Sequence, residues 1–260
     1  MVFTVSEGKR LIAKAVAQMP VVKSALREGM VIICKGTTTT YVAEEILRTK
    51  IEHGAFVTGR TYPEKGGHKL EPRTTMPEVI LINGQLQTNL TLEAAVKKLK
   101  RGDVVIKGAN ALYYEDKLAA GIIGAPDSGT TGKITPYVTG RKAHLIIPVG
   151  LEKQVAQSPI EISRRLQKPI ESLNWVPGMF LFTAGEIVTE IEAFQILANV
   201  KTFQAAAGGI GGGEGSVRLI CRGPRKEVQQ ALNIAEQIYG EPPFADPDQR
   251  PDNEQKQQKR

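Results

Sequence analysis

The chain is 260 residues long, 41% hydrophobic and only 5% aromatic, with a formal net charge of +7. That length suits one large α/β domain, or a large domain with a small companion, around an aliphatic core. The positive balance favours anionic partners. The basic residues are scattered, however, and aromatic stacking platforms are few, which argues against a nucleic-acid-binding protein. Cys34 and Cys221 sit far apart in apolar runs and read as reduced, buried thiols. No Cys or His falls at metal-ligand spacing, so neither a metal nor a cofactor is expected. No apolar run approaches a membrane span and no signal-peptide pattern opens the chain, so a cytoplasmic protein without membrane contact is expected.

Residues 6–28 carry helical apolar spacing, with a break at Pro20 and a stop at Gly29. "MVIIC" (30–34) is a short strand and 38–50 a helix. "TGRTYPEKGGHKLEPRTTMP" (58–77) has few apolar anchors and reads as a long surface loop. "EVILING" (78–84) is a strand, and "TLEAAVKKLKRG" (91–102) a helix with Thr91 as N-cap and its cations at the C-terminal end. "DVVIKGANAL" (103–112) is a strand followed by a loop, and "AHLIIPVG" (143–150) a further buried-type strand. "SPIEISRRLQK" (158–168) opens as a helix on Ser158, Pro159 and Glu161, the pattern of a capping box. Apolar strands alternating with helices predict a parallel sheet with crossover helices across residues 1–177.

From residue 178 the pattern changes to strand, helix (with a capping box from Thr189 to Glu192), strand, glycine loop, strand and helix. That order predicts a ferredoxin-like α+β unit over 178–240, without its last strand. The polar, proline-rich stretch 241–260 is expected to be disordered. No internal repeat is present.

Three loops and one acid are candidates for chemistry. Lys35, Gly36, Thr37, Thr38, Thr39 and Thr40 join a strand to a helix, where ligands of open parallel sheets bind at strand ends and helix N-termini. Four threonines are poor helix interior, and plain N-capping needs only one of them. The spacing is not that of a P-loop. The second candidate couples Lys107, Gly108 and Asn110 after a strand with a Gly/Thr-rich turn. Its residues Asp127, Ser128, Gly129, Thr130, Thr131 and Lys133 read equally as an anion contact or as a turn with an N-cap. The third is "AAAGGIGGGEG", whose Gly208, Gly209, Gly211, Gly212 and Gly213 exceed the needs of a hairpin and read as a lid or a backbone contact. For proton transfer the candidates are Glu186 and Asp127, although a glutamate near a helix start also has a purely electrostatic explanation.

The order of these motifs resembles the superfamily of ribose-5-phosphate isomerase, glucosamine-6-phosphate deaminase and the CoA-transferases. The motifs are a strand with a Gly/Thr turn, "VVIKGANAL", "DSGTTGK", a basic helix and "HLIIPVG", spanning residues 25–150. Similar patterns occur in sugar-phosphate-sensing domains of bacterial repressors, methylthioribose-1-phosphate isomerase and translation-initiation exchange-factor subunits. The resemblance implies a Rossmann-like sheet that binds a phosphorylated sugar or related small anionic metabolite at its strand ends, in a homo-oligomer. Two departures stand out: the first loop has one glycine where a second is usual, and Asn110 stands where the isomerases carry a proton-handling aspartate. An amide cannot take that role. The expectation is therefore a binder of that metabolite, open to an isomerase- or transferase-type reaction that stays unassigned; the alternatives are a non-catalytic sensor of the same metabolite class and a nucleic-acid-associated basic protein.

Overall fold

The structure, a computed structural model, describes residues 1–62, 72–172 and 175–244. Its first elements are β1 (Val2–Phe3), α1 (Val5–Gln18), α2 (Pro20–Glu28), β2 (Met30–Ile33), α3 (Thr37–Leu47), β3 (Val79–Ile82) and β4 (Gln85–Leu86). They are followed by α4 (Leu92–Val96), β5 (Val104–Ile106), β6 (Ala111–Tyr113), β7 (Leu118–Ile123), α5 (Gly129–Arg141) and β8 (His144–Pro148). After a 3-10 turn (Leu151–Lys153) come α6 (Pro159–Leu166), β9 (Gly178–Phe182), β10 (Glu186–Val188), α7 (Glu190–Ala198), β11 (Lys201–Ala207), β12 (Val217–Arg222) and α8 (Arg225–Ile238). No helix among the described residues is long and apolar enough to cross a membrane.

The fold is mixed α/β, centred on a six-stranded sheet of order β10-β8-β5-β2-β3-β4. Four of these strands run parallel, with Ile33 beside Ile106, Ile106 beside Ile146, and Ile147 beside Ile187. Continuous runs such as Met30–Ile33 and Val104–Ile106 are buried at every residue, as strands covered on both faces must be. β3 instead runs antiparallel to β2 and turns through Asn83 and Gly84 into β4. Both turn residues have positive φ (49° and 76°), the geometry that Asn-Gly favours in a two-residue hairpin.

Two further antiparallel sheets depart from the expected layout. β6, β7 and β9 form one of them, so the loop expected after residue 112 is a hairpin. β1, β12 and β11 form the other. The strands expected in one ferredoxin-like unit are therefore divided: β9 pairs with β7, and the β11–β12 hairpin takes β1 as its outer strand, while β10, a strand not expected from the sequence, extends the parallel edge beside β8. The physical reason is burial, because Ile187 and Val188 complete an apolar parallel edge that a separate unit would leave exposed. The Met1 ammonium seals the third sheet by donating to Leu219 O at 2.9 Å.

α1 starts at Thr4, whose side chain and that of Glu7 form a reciprocal capping box. It packs against α3 and α7 and is buried along most of its length, Lys9 and Arg10 included. Thr91 and Thr189 cap their helices as expected, the latter with its full box to Glu192, whereas Ser158 contributes only the serine half of the expected box. The end of the described chain is anchored where disorder was expected from residue 241. Glu241 accepts two bonds from Arg10, each 2.9 Å long, and Phe244 stacks on His53 with ring centroids 4.5 Å apart. The rest of the expected tail, 245–260, and residues 63–71 of the expected loop lie outside the described residues.

Candidate functional site

The parallel strands β2 and β5 release the chain side by side. β2 leads through Cys34 and Lys35 into α3, and β5 leads through Lys107 and Gly108 into the β6–β7 hairpin. Between these exits lies a cavity of about 480 Å³. Its wall includes Lys35, Arg60, Lys107 and Lys153, and no carboxylate among the described residues. Asn110, Tyr62 and Phe244 also face it.

The N-terminus of α3 opens into this cavity. Gly36 is its N-cap and has no side chain to cap with, so the first N–H groups of the helix are left to whatever occupies the cavity. The four threonines divide their duties. The Thr39 and Thr40 hydroxyls donate to Gly36 O at 3.1 and 2.7 Å. Thr37 and Thr38 line the cavity, and the buried Thr38 Oγ1 has no hydrogen-bond partner. An orphaned buried hydroxyl costs about 1–3 kcal/mol.

Two lysines carry the charge deepest. Lys107 Nζ donates to Gly108 O at 3.3 Å, and burial pushes its pKa down. Lys153 Nζ donates to Ala109 O at 2.9 Å. Its pKa falls to about 8, first through burial; Glu152 and Glu190 oppose the fall, and Lys9 and Lys107 add to it. Among the described residues neither lysine has a carboxylate in ion-pair contact. The nearest acid, Glu152, is committed to Lys9 at 3.0 Å. Behind Lys153, fully buried Glu190 accepts from Leu151 N at 2.9 Å, and desolvation raises its pKa far above the carboxylate range. Cys34 is no nucleophile here, since burial pushes its thiol up to about 12.

Of the sequence candidates, Lys35, Gly36, Thr37, Thr38, Thr39, Lys107, Gly108 and Asn110 converge on this cavity, and Thr40 supports it from behind. Asn110 is also structural: its Oδ1 accepts from Ile122 N at 3.0 Å and so helps open the β6–β7 hairpin. The second turn does not join the cavity wall. Asp127 Oδ1 accepts from Gly129 N at 2.9 Å, Ser128 takes a left-handed conformation (φ 61°), and Lys133 pairs with Glu93 at 2.7 Å. Gly129, Thr130 and Thr131 belong to the first turn of α5. Glu186 is exposed at the start of β10, outside the cavity wall.

The glycine loop joins β11 to β12 and is braced by its own bonds, Gly208 N to Ser216 O (2.7 Å), Gly213 N to Ile210 O (3.1 Å) and Gly212 N to Glu214 Oε2 (2.9 Å). None of Gly208, Gly209, Gly211, Gly212 and Gly213 lines the cavity. Sequence reasoning missed Lys153, Arg60, Tyr62, Phe244 and Glu190. For Lys153 the only signal was its place just beyond the strand end "IIPVG". No family model matches the sequence, and neither a curated protein nor a solved structure matches the chain.

Proposed function

We propose that the cavity binds a small anionic metabolite, a phosphorylated sugar or a related phosphate ester. One observation carries this reading: three lysines and an arginine line a cavity with no carboxylate among its described residues, into which the α3 N-terminus, with no side-chain cap, also opens. A phosphate supplies acceptor oxygens and negative charge to a wall whose described residues include lysines and no acid. The parallel run β10-β8-β5-β2, with its ligand space at the strand ends, supports a Rossmann-like reading of the central sheet. The motif order of residues 25–150 supports the likeness to the sugar-phosphate superfamily. A cavity of this size suits a small metabolite.

Turnover in the manner of the isomerases does not rest on Asn110, whose amide carbonyl serves the hairpin. The sensor alternative keeps the same ligand and drops the chemistry. The test is a thermal-shift panel of inorganic phosphate, sugar phosphates, CoA esters and nucleotides at low and moderate salt. Selective stabilisation by one phosphate-ester class that survives added salt is expected. Weak, salt-sensitive shifts from every polyanion would reduce the cavity to net charge alone and overturn the reading.

A further inference from the structure

Four cations line the cavity, and they are not equivalent. An anion is held best by groups that keep their charge. Lys153 is poorly placed to keep its own, because it is set deep, its Nζ contacts a neutral carbonyl oxygen, Lys107 stands nearby, and Glu152 is held by Lys9. The groups facing it are Glu152, Lys9, Lys107 and Glu190, and the two acids leave its pKa at about 8. At pH 7.5 about a quarter of such amines carry a free lone pair, against about a thousandth for an ordinary lysine. A discharged amine is a weak anion ligand but a strong nucleophile for carbonyl carbon. Lys35 and the α3 N-terminus remain to hold the anion on the same cavity wall.

From this placement we infer that Lys153 captures the carbonyl carbon of an anionic aldehyde or ketone bound in the cavity, forming a Schiff base. The inference rests on the anion-binding reading and adds the carbonyl to the ligand's chemistry. The neutral amine attacks the carbonyl carbon, a C–N bond forms, and the π pair moves to oxygen. A proton passes from nitrogen to oxygen to give the carbinolamine. The carbinolamine hydroxyl takes a second proton from solvent and leaves as water while the nitrogen lone pair completes the C=N bond, and the iminium nitrogen returns its remaining proton to solvent. No oxidant or reductant enters, and hydrolysis reverses the step.

The test treats the full chain with pyridoxal 5′-phosphate, a phosphorylated aldehyde, reduces the product with sodium borohydride and maps the adduct by peptide mass. Thermal shifts with inorganic phosphate are measured alongside. The expected result is one adduct per chain on Lys153, formed at least about tenfold more slowly under saturating phosphate, with a rate that levels off above pH of about 8. Lys153→Arg loses the adduct, and Lys133→Arg, outside the cavity wall, keeps both the adduct and the phosphate shift. An adduct on Lys107 or on surface lysines with Lys153 unmodified overturns the inference, as does equal labelling by unphosphorylated pyridoxal. If phosphate still stabilises the chain while Lys153 stays unmodified, the carbonyl capture falls and the anion site stands. If phosphate neither stabilises the chain nor slows labelling, the anion reading falls with it.

Discussion

The turn before α3 (Lys35 to Thr40) and the turn before α5 (Asp127 to Lys133) have nearly the same ingredients: glycine, threonines and one lysine at a helix start. Their surroundings separate them. The first turn follows a buried parallel strand and faces a second strand exit that supplies Lys107, so its donors converge on a cavity. The second follows the antiparallel strand β7, and its polar groups find partners within reach: Asp127 bonds Gly129 N and Lys133 pairs with Glu93. Among the described residues, a Gly/Thr turn becomes a site where the fold leaves a helix N-terminus uncapped and lines the space beside it with lysines and no acid.

The sharpest way to break this contrast is to remove one lysine from each turn's neighbourhood. Lys107→Met is expected to weaken phosphate binding by about 10- to 100-fold, the worth of a hydrogen bond to a charged group, as measured by calorimetric titration. Lys133→Met should change the same affinity by less than about twofold, because it breaks only an exposed ion pair. Equal effects would erase the distinction.

A smaller effect is expected from pH. Lys153 has its pKa depressed to about 8, so the cavity holds one more positive charge below that pH than above it. Phosphate affinity should therefore fall about three- to tenfold between pH 7.5 and 9, and Lys153→Met should flatten the profile. Next comes Thr38→Val, which should raise the stability of the free protein by about 1 kcal/mol, since it deletes an unsatisfied buried hydroxyl. Thr130→Val in the second turn should leave affinity unchanged.

The smallest effect concerns the acid behind the first turn. The folded chain raises the Glu190 pKa, so it binds more protons than the unfolded chain above the ordinary carboxylate value of about 4.3, and stability falls as pH rises from there. Glu190→Gln keeps an oxygen for Leu151 N, and its melting-temperature advantage over the wild type should grow by a few degrees from pH 5 to 8.

The first turn was legible because "MVIIC" reads as a doubly buried strand and "TTTT" is too costly for helix interior without a use. The second turn misled because glycine and threonine look alike whether they serve a ligand or a cap, and the Glu93 that neutralises Lys133 lies 40 residues away. Lys153 was illegible for the same reason: its distinction is the missing partner, a property of space and not of spacing. The β6–β7 hairpin escaped because "KLAAGIIG" is rich in alanine and glycine, which are depleted in strands. β1 escaped because two residues carry no period at all. The glycine loop advertised itself by composition, yet its bonds are internal and its place is the third sheet.

The most direct measurement of the contrast is a phosphate titration followed by backbone amide chemical shifts. The account predicts saturable shifts at Thr37, Thr38, Thr39 and Gly108, with Gly129, Thr130 and Thr131 unmoved. Equal shifts at both helix starts, or none at the first, would contradict it.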